Sequence, residues 1–140
     1  MQRPTEVLER LCNAMNQHDL EGFVACFDPD YQSEQPAHPG RGFAGRDQVR
    51  KNWATMFEGM PDFHAELLGW AERGDVVWAE WRWRGTRRDG VTLDMRGVTV
   101  FGVRDGRIAW GRLYMEESEV AGANIDETVQ RIAAGRAAKN

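Results

Sequence analysis

The sequence predicts an α+β domain, because helical periodicity over roughly the first 60 residues gives way to long alternating strands separated by Asp-Gly turns. The strongest single signal is Val91 to Glu117, in which Arg104-Asp105-Gly106 divides two apolar runs. Asp-Gly tolerates the positive φ that a tight hairpin needs, so the two runs pair antiparallel. A second alternating run, Val76 to Gly85, precedes it and reaches it through the turn Arg87-Arg88-Asp89-Gly90. A chain of 140 residues suits one such domain with one core.

The elements follow in order. Pro4 suits the first helical turn, and Val7, Leu8, Leu11 and Met15 then recur at helical spacing, which predicts a helix over 4–17. Asp19 can cap a second helix carrying Phe23 and Phe27 four apart, with Asp28-Pro29 as its stop. Tyr31 to Ser33 reads as a short strand, and Gln35 to Gly42 is too rich in Pro and Gly to be regular. After Gly45 a third helix places Val49, Trp53, Met56 and Phe57 on one face. Pro61-Asp62 ends it and opens a strand to about Glu72, and Arg73-Gly74-Asp75 is a turn.

Strand alternation assigns faces. In Val76 to Gly85 the set Val77, Ala79, Trp81 and Trp83 is the buried one, leaving Trp78, Glu80, Arg82 and Arg84 opposite. In the last strand Trp110, Arg112, Tyr114 and Glu116 share one face, and Ala109, Gly111, Leu113 and Met115 share the other. Alternation leaves the parity of His64 and Glu66 open. Beyond Glu119 the chain loosens, and Ile125, Val129 and Ile132 predict a short terminal helix whose end, Ala133 to Asn140, should fray. The division expected is one domain over 1–120 and a tail over 121–140.

Composition narrows the function. Eighteen basic against 22 acidic residues give a net charge of −4, and the arginines between Glu80 and Arg112 are interleaved with acids, so neither nucleic acid nor an anionic membrane is an expected partner. No run of about 18 apolar residues occurs, and MQRPTEVLER lacks the apolar stretch of a signal peptide, so a cytoplasmic protein is expected. Cys12 and Cys26 read as buried thiols. His18, His38 and His64 form no metal-binding spacing, and no phosphate-cradling glycine motif is present; no metal and no cofactor are expected.

Taken together, NQHDL (Asn16 to Leu20), FDPDY (Phe27 to Tyr31), Gly45-Arg46-Asp47, WRWRGT (Trp81 to Thr86) and the run from Val100 to Tyr114 resemble a SnoaL-like polyketide cyclase of the nuclear transport factor 2-like superfamily. The resemblance covers nearly all of Val7 to Glu119 and implies a cone in which a curved, mostly antiparallel sheet wraps three N-terminal helices. It also implies an acid/base carboxylate on the last strand, a position held here by Glu116, and a homodimer formed through the outer sheet face. The cyclases place Gln and His two apart on the preceding strand, where this chain has Gly97 and Thr99.

The resulting expectation is a cofactor-free enzyme of isomerase, cyclase or hydrolase type acting on a mostly apolar or aromatic molecule. Glu116 is its acid or base, Tyr114 an oxyanion donor, Arg112 a modulating charge and His38 a second proton carrier on a loop over the mouth. Trp53, Met56, Phe57, Phe63, Trp81, Trp83, Thr99, Phe101 and Trp110 are the expected ligand-binding residues. The rival expectation is a non-catalytic binding or dimerisation module in which Glu116 and Arg112 form a structural ion pair.

Overall fold

The structure, a computed structural model, describes residues 2–135. Helix α1 (Pro4–Gln17) has its proline in the first turn and buries Val7, Leu8, Leu11, Ala14 and Met15 along one side. His18, at φ 53°, turns the chain out of the helix, and the Asp19 carboxylate accepts the Gly22 N–H to cap α2 (Leu20–Ala25). Helix α2 is shorter than predicted. Phe27 does not continue it but opens strand β1 (Phe27–Glu34), longer than the predicted strand. Asp28-Pro29 therefore lies inside a strand. Pairing to the last strand, β6 (Arg107–Glu117), skips from Phe27 to Gln32, so the missing proline N–H falls in a gap of the ladder.

A 3₁₀ turn (Pro39–Arg41) and the two-residue β2 (Phe43–Ala44) lead to Gly45, which holds φ 98° as it starts α3 (Arg46–Gly59). Strands β3 (His64–Arg73), β4 (Val76–Thr86), β5 (Thr92–Arg104) and β6 then form the predicted meander. The sheet order is β2-β1-β6-β5-β4-β3, with β1 parallel to β6 and every other neighbour antiparallel. The sheet curves around the helices without closing, and its concave face with α1, α2 and α3 makes the core. Helix α4 (Ile125–Ala134) buries no residue and leaves Ile125, Val129 and Ile132 exposed. It persists through Ala134, and the rest of the segment expected to fray, 136–140, lies outside the described residues.

Two irregularities set the faces. Strand β4 alternates without interruption, and Val77, Ala79, Trp81 and Trp83 are all buried. Strand β6 does not: Val103 pairs with Ile108 but Gly102 pairs with Trp110, so Ala109 is an extra residue. Ile108 points inward and the bulge sends Trp110 outward. In β3, Leu67 lies opposite Trp81 and Gly69 opposite Glu80, which makes Leu68 a second bulge. Ala65 and Leu67 therefore share the inner face with Trp83 and Trp81, whereas His64 and Glu66 lie outside, opposite Arg84 and Arg82.

The end of α1 is tied to the sheet. The Asn16 amide donates to the Ala65 carbonyl at 2.9 Å, and its oxygen accepts the Ala65 N–H at 2.7 Å. His18 Nε2 donates to the Phe63 carbonyl at 2.8 Å while its ring stacks on Phe57 at 4.7 Å. Replacing Asn16 by Ala removes both bonds to Ala65, and urea unfolding should show a loss of about 1–2 kcal/mol with an unchanged m-value.

Candidate functional site

Alternation in the central strands delivers a set of side chains to the concave face. Thr99 pairs with Ala79 on one side and Leu113 on the other, and Phe101 lies two residues along from Thr99 opposite Gly111. Together with Trp81 and Trp83 these residues wall a cavity of about 230 Å³. Leu11, Met15 and Phe23 floor it from the first two helices, and Trp53 and Met56 close it from α3. Strand β1 contributes Tyr31 and Ser33, which alternate inward together. The exposed Asn52 and the half-buried Gln35, Phe43 and Met95 mark the mouth.

Six of the nine predicted ligand-binding residues, Trp53, Met56, Trp81, Trp83, Thr99 and Phe101, line this cavity. Phe57 and Phe63 stand one layer back, packed on Trp53 at 5.6 and 5.5 Å, and do not line it. Trp110 is on the other side of the sheet. It lies across Gly102, where a Cβ would come within 1.9 Å of its Nε1, and the Arg112 guanidinium stacks 4.7 Å above its ring.

The same bulge corrects the placement expected for three of the candidate catalytic residues. Arg112, Tyr114 and Glu116 follow Trp110 to the outer face, and the cavity meets Leu113 instead. Tyr114 is 43% exposed, which places it far from any oxyanion in the cone. The expected Glu116–Arg112 ion pair is replaced by two separate contacts: Arg112 stacks on Trp110, and Glu116 Oε1 accepts from His38 Nε2 at 2.5 Å. His38, expected on a loop over the mouth of the cone, instead meets Glu116 of the outer-face set. The pair is half exposed, and its loop begins at the cavity-lining Gln35, whose carbonyl accepts the His38 N–H at 2.7 Å.

The cavity wall is uncharged. Its polar groups are the Tyr31 phenol, the Ser33 and Thr99 hydroxyls, the Gln35 and Asn52 amides and the indoles of Trp53, Trp81 and Trp83. Sequence reasoning passed over Tyr31, Ser33, Gln35, Asn52 and Leu113; the signal for two of them was the inward alternation of Tyr31 and Ser33 just before the Pro-rich loop. Burial pushes the Tyr31 phenol up to about 12, against a weaker opposing hydrogen bond with Ser33. Its hydroxyl fills the space left by Gly111, where a Cβ would sit 2.5 Å away. Trp81 Nε1 donates to Thr99 Oγ1 at 2.8 Å, whereas Trp83 Nε1 is buried with no partner among the described residues. Among the described residues no group of three or more His, Cys, Asp or Glu stands close enough to hold a metal ion.

The SnoaL-like domain family matches residues 8–110, and the chain belongs to that family. Solved structures agree on the fold. IdmH from Streptomyces antibioticus is 23% identical over 84% of this chain and 93% of its own, with a TM-score of 0.70. RV0760c from Mycobacterium tuberculosis, solved in complex with estradiol-17β-hemisuccinate, is 20% identical over 89% of this chain and 97% of its own, also at 0.70. An NTF2-like protein from Burkholderia pseudomallei is 19% identical over 84% of this chain and 92% of its own, at 0.67. Among curated proteins none matches the sequence.

Burial of Tyr31 has a measurable consequence at high pH. Its folded pKa lies above the ordinary value of 10, so between pH 10 and 12 the unfolded chain loses the phenolic proton while the folded chain keeps it. Stability is undiminished by this group below pH 10 and falls by about 3 kcal/mol across that window. Denaturant melts at pH 9 to 12 should show the fall, and Tyr31→Phe should flatten it.

Proposed function

We propose that this SnoaL-like domain holds a small, uncharged, mostly apolar molecule of one or two rings inside its cone. The composition of the cavity wall carries this reading: aromatic and aliphatic side chains with a few neutral polar groups, and no carboxylate, imidazole, ammonium or guanidinium. A charged ligand would find no partner there, and desolvating it would be costly. Size sets the upper limit. An apolar cavity of about 150 Å³ takes up benzene, so about 230 Å³ exceeds one ring. It falls below the range of about 300–1,000 Å³ usual for drug-sized ligands. The estradiol ester held by RV0760c and the polycycles of cyclase chemistry are larger than this cavity favours.

The contact between His38 and Glu116 supports a second reading, in which this pair exchanges a proton with a part of the ligand that protrudes past Gln35. It keeps the enzyme hypothesis but moves the chemistry from the cone to its rim. Glu116→Gln and Leu113→Trp separate the two. Titration with a neutral bicyclic ligand should show Leu113→Trp weakened at least about tenfold by the filled cavity, and Glu116→Gln unchanged within about twofold. Loss of a measured turnover in Glu116→Gln at unchanged affinity would establish the rim pair as catalytic.

The outer sheet face supports a homodimer. Trp78, opposite Val100, and Tyr114, opposite Val98, are 39% and 43% exposed, and Arg82 is tied to Asp94 at 3.0 Å in a bidentate pair. An aromatic centre with paired charges around it matches the composition of a protein interface, and a sheet face presents it to a second copy. Light scattering should give a dimer for the native chain, and Trp78→Glu should give a monomer. Two free thiols suit a cytoplasmic setting.

A further inference from the structure

We infer that the ligand of the cone is a ring bearing an unbranched apolar chain, and that the chain leaves the cavity between Met56 and Met95 to lie in a groove beyond them. The inference rests on the proposed cavity reading and extends the ligand past the cavity wall.

An open groove of about 450 Å³ adjoins the cone at the end of α3, where the turn between β4 and β5 meets the end of β6. Two of its lining residues, Met56 and Met95, line the cavity as well. The elements that carry them run from one space into the other. Along the inward face of β5, Phe101 and Thr99 wall the cavity, Met95 is shared, and Leu93 lies in the groove. Along α3, Trp53 lines the cavity, Met56 is shared, and Gly59 and the following Met60 belong to the groove. The groove therefore continues the cone.

The residues common to both spaces are thioethers, and both are half-buried. Methionine is unbranched with three rotatable side-chain bonds, so it yields to a passing chain at lower cost than a branched or aromatic side chain would. Beyond it the groove is apolar. Leu93 and Met60 form its floor, and Met60 packs over Gly85, where a Cβ would stand 3.0 Å from its Sδ. A Cβ at Gly59 would meet no atom within 4 Å, which leaves that wall open. The two cations of the groove are engaged: Arg87 donates to Glu117 at 3.1 Å and Arg88 to the Glu58 carbonyl at 3.2 Å. An anionic head would have to displace Glu117, whereas an alkyl chain needs no partner and gains by leaving water.

Protein labelled with ¹³C at its methionine ε-methyl groups separates the two spaces, because Met15 lines the cavity and Met60 lines the groove. The probes are 4-methylphenol and 4-hexylphenol. The short phenol should move the Met15 methyl and leave Met60 in place. The long one should move both and give a nuclear Overhauser contact between its terminal methyl and Met60. Its chain should tighten binding at least about tenfold. Gly59→Trp, which fills the groove, should abolish that gain and leave 4-methylphenol affinity unchanged within about twofold. If 4-hexylphenol moves Met15 but not Met60, or keeps its gain in Gly59→Trp, the groove is not part of the site and the cavity reading stands without it. If neither phenol moves Met15, the cavity reading fails and takes the inference with it. Should Gly59→Trp not fold, the Met60 response in the native protein decides alone.

Discussion

One extra residue in the last strand determines what this cone can be. From Ile108, which is buried, simple alternation would turn Trp110, Arg112, Tyr114 and Glu116 inward and fill the cavity with charge. The bulge at Ala109 shifts the register by one, and a one-residue shift moves every following side chain to the opposite face. Leu113 and Met115 become wall and core, and Gly111 leaves room for the Tyr31 hydroxyl. The indole displaced to the outside occupies the space where a side chain at Gly102 would lie. The neutral cavity and the aromatic outer face therefore have a common cause.

The helices keep that cavity from collapsing. The Asn16 and His18 bonds anchor the corner between α1 and α2 to the start of the sheet, and His18 stacks on Phe57 of α3. Phe57 and Phe63 then brace Trp53, which stands edge-on to Trp83 across the cavity end of the cone. Aromatic rings held edge to face resist sliding into an adjacent void, because each is gripped on several sides. Residues predicted to touch ligand, Phe57 and Phe63, are better understood as this bracing layer. The motif NQHDL, a sign of the fold in sequence, owes its importance to this corner.

What the sequence revealed depended on whether local periodicity ran unbroken. Strand β4 has no bulge, and its buried face was readable residue by residue. Asp105 and Gly106, both at positive φ, made the central hairpin legible because few residues tolerate that backbone. The grouping of Trp110 with Arg112, Tyr114 and Glu116 was readable too, but not the side it would occupy, since an alanine at a bulge carries no compositional mark. Leu68 concealed the parity of β3 in the same way. Phe27 was assigned to a helix because its spacing from Phe23 is helical, and the two rings do meet at 5.3 Å, although across a helix–strand junction. The meeting of His38 with Glu116 was not legible, because the loop that brings them together has no regular pattern to read.

The central claim is that ligands enter a neutral cone from which Glu116 is excluded. A crystal of the protein soaked with 1-bromonaphthalene tests it most directly, because bromine marks its own position by anomalous scattering. The account predicts a bromine peak enclosed by Trp53, Trp83, Phe101 and Leu113, with Glu116 on the far side of the sheet. A peak on the outer face against Tyr114 and Glu116, or a cone closed by its own tryptophans, would contradict it.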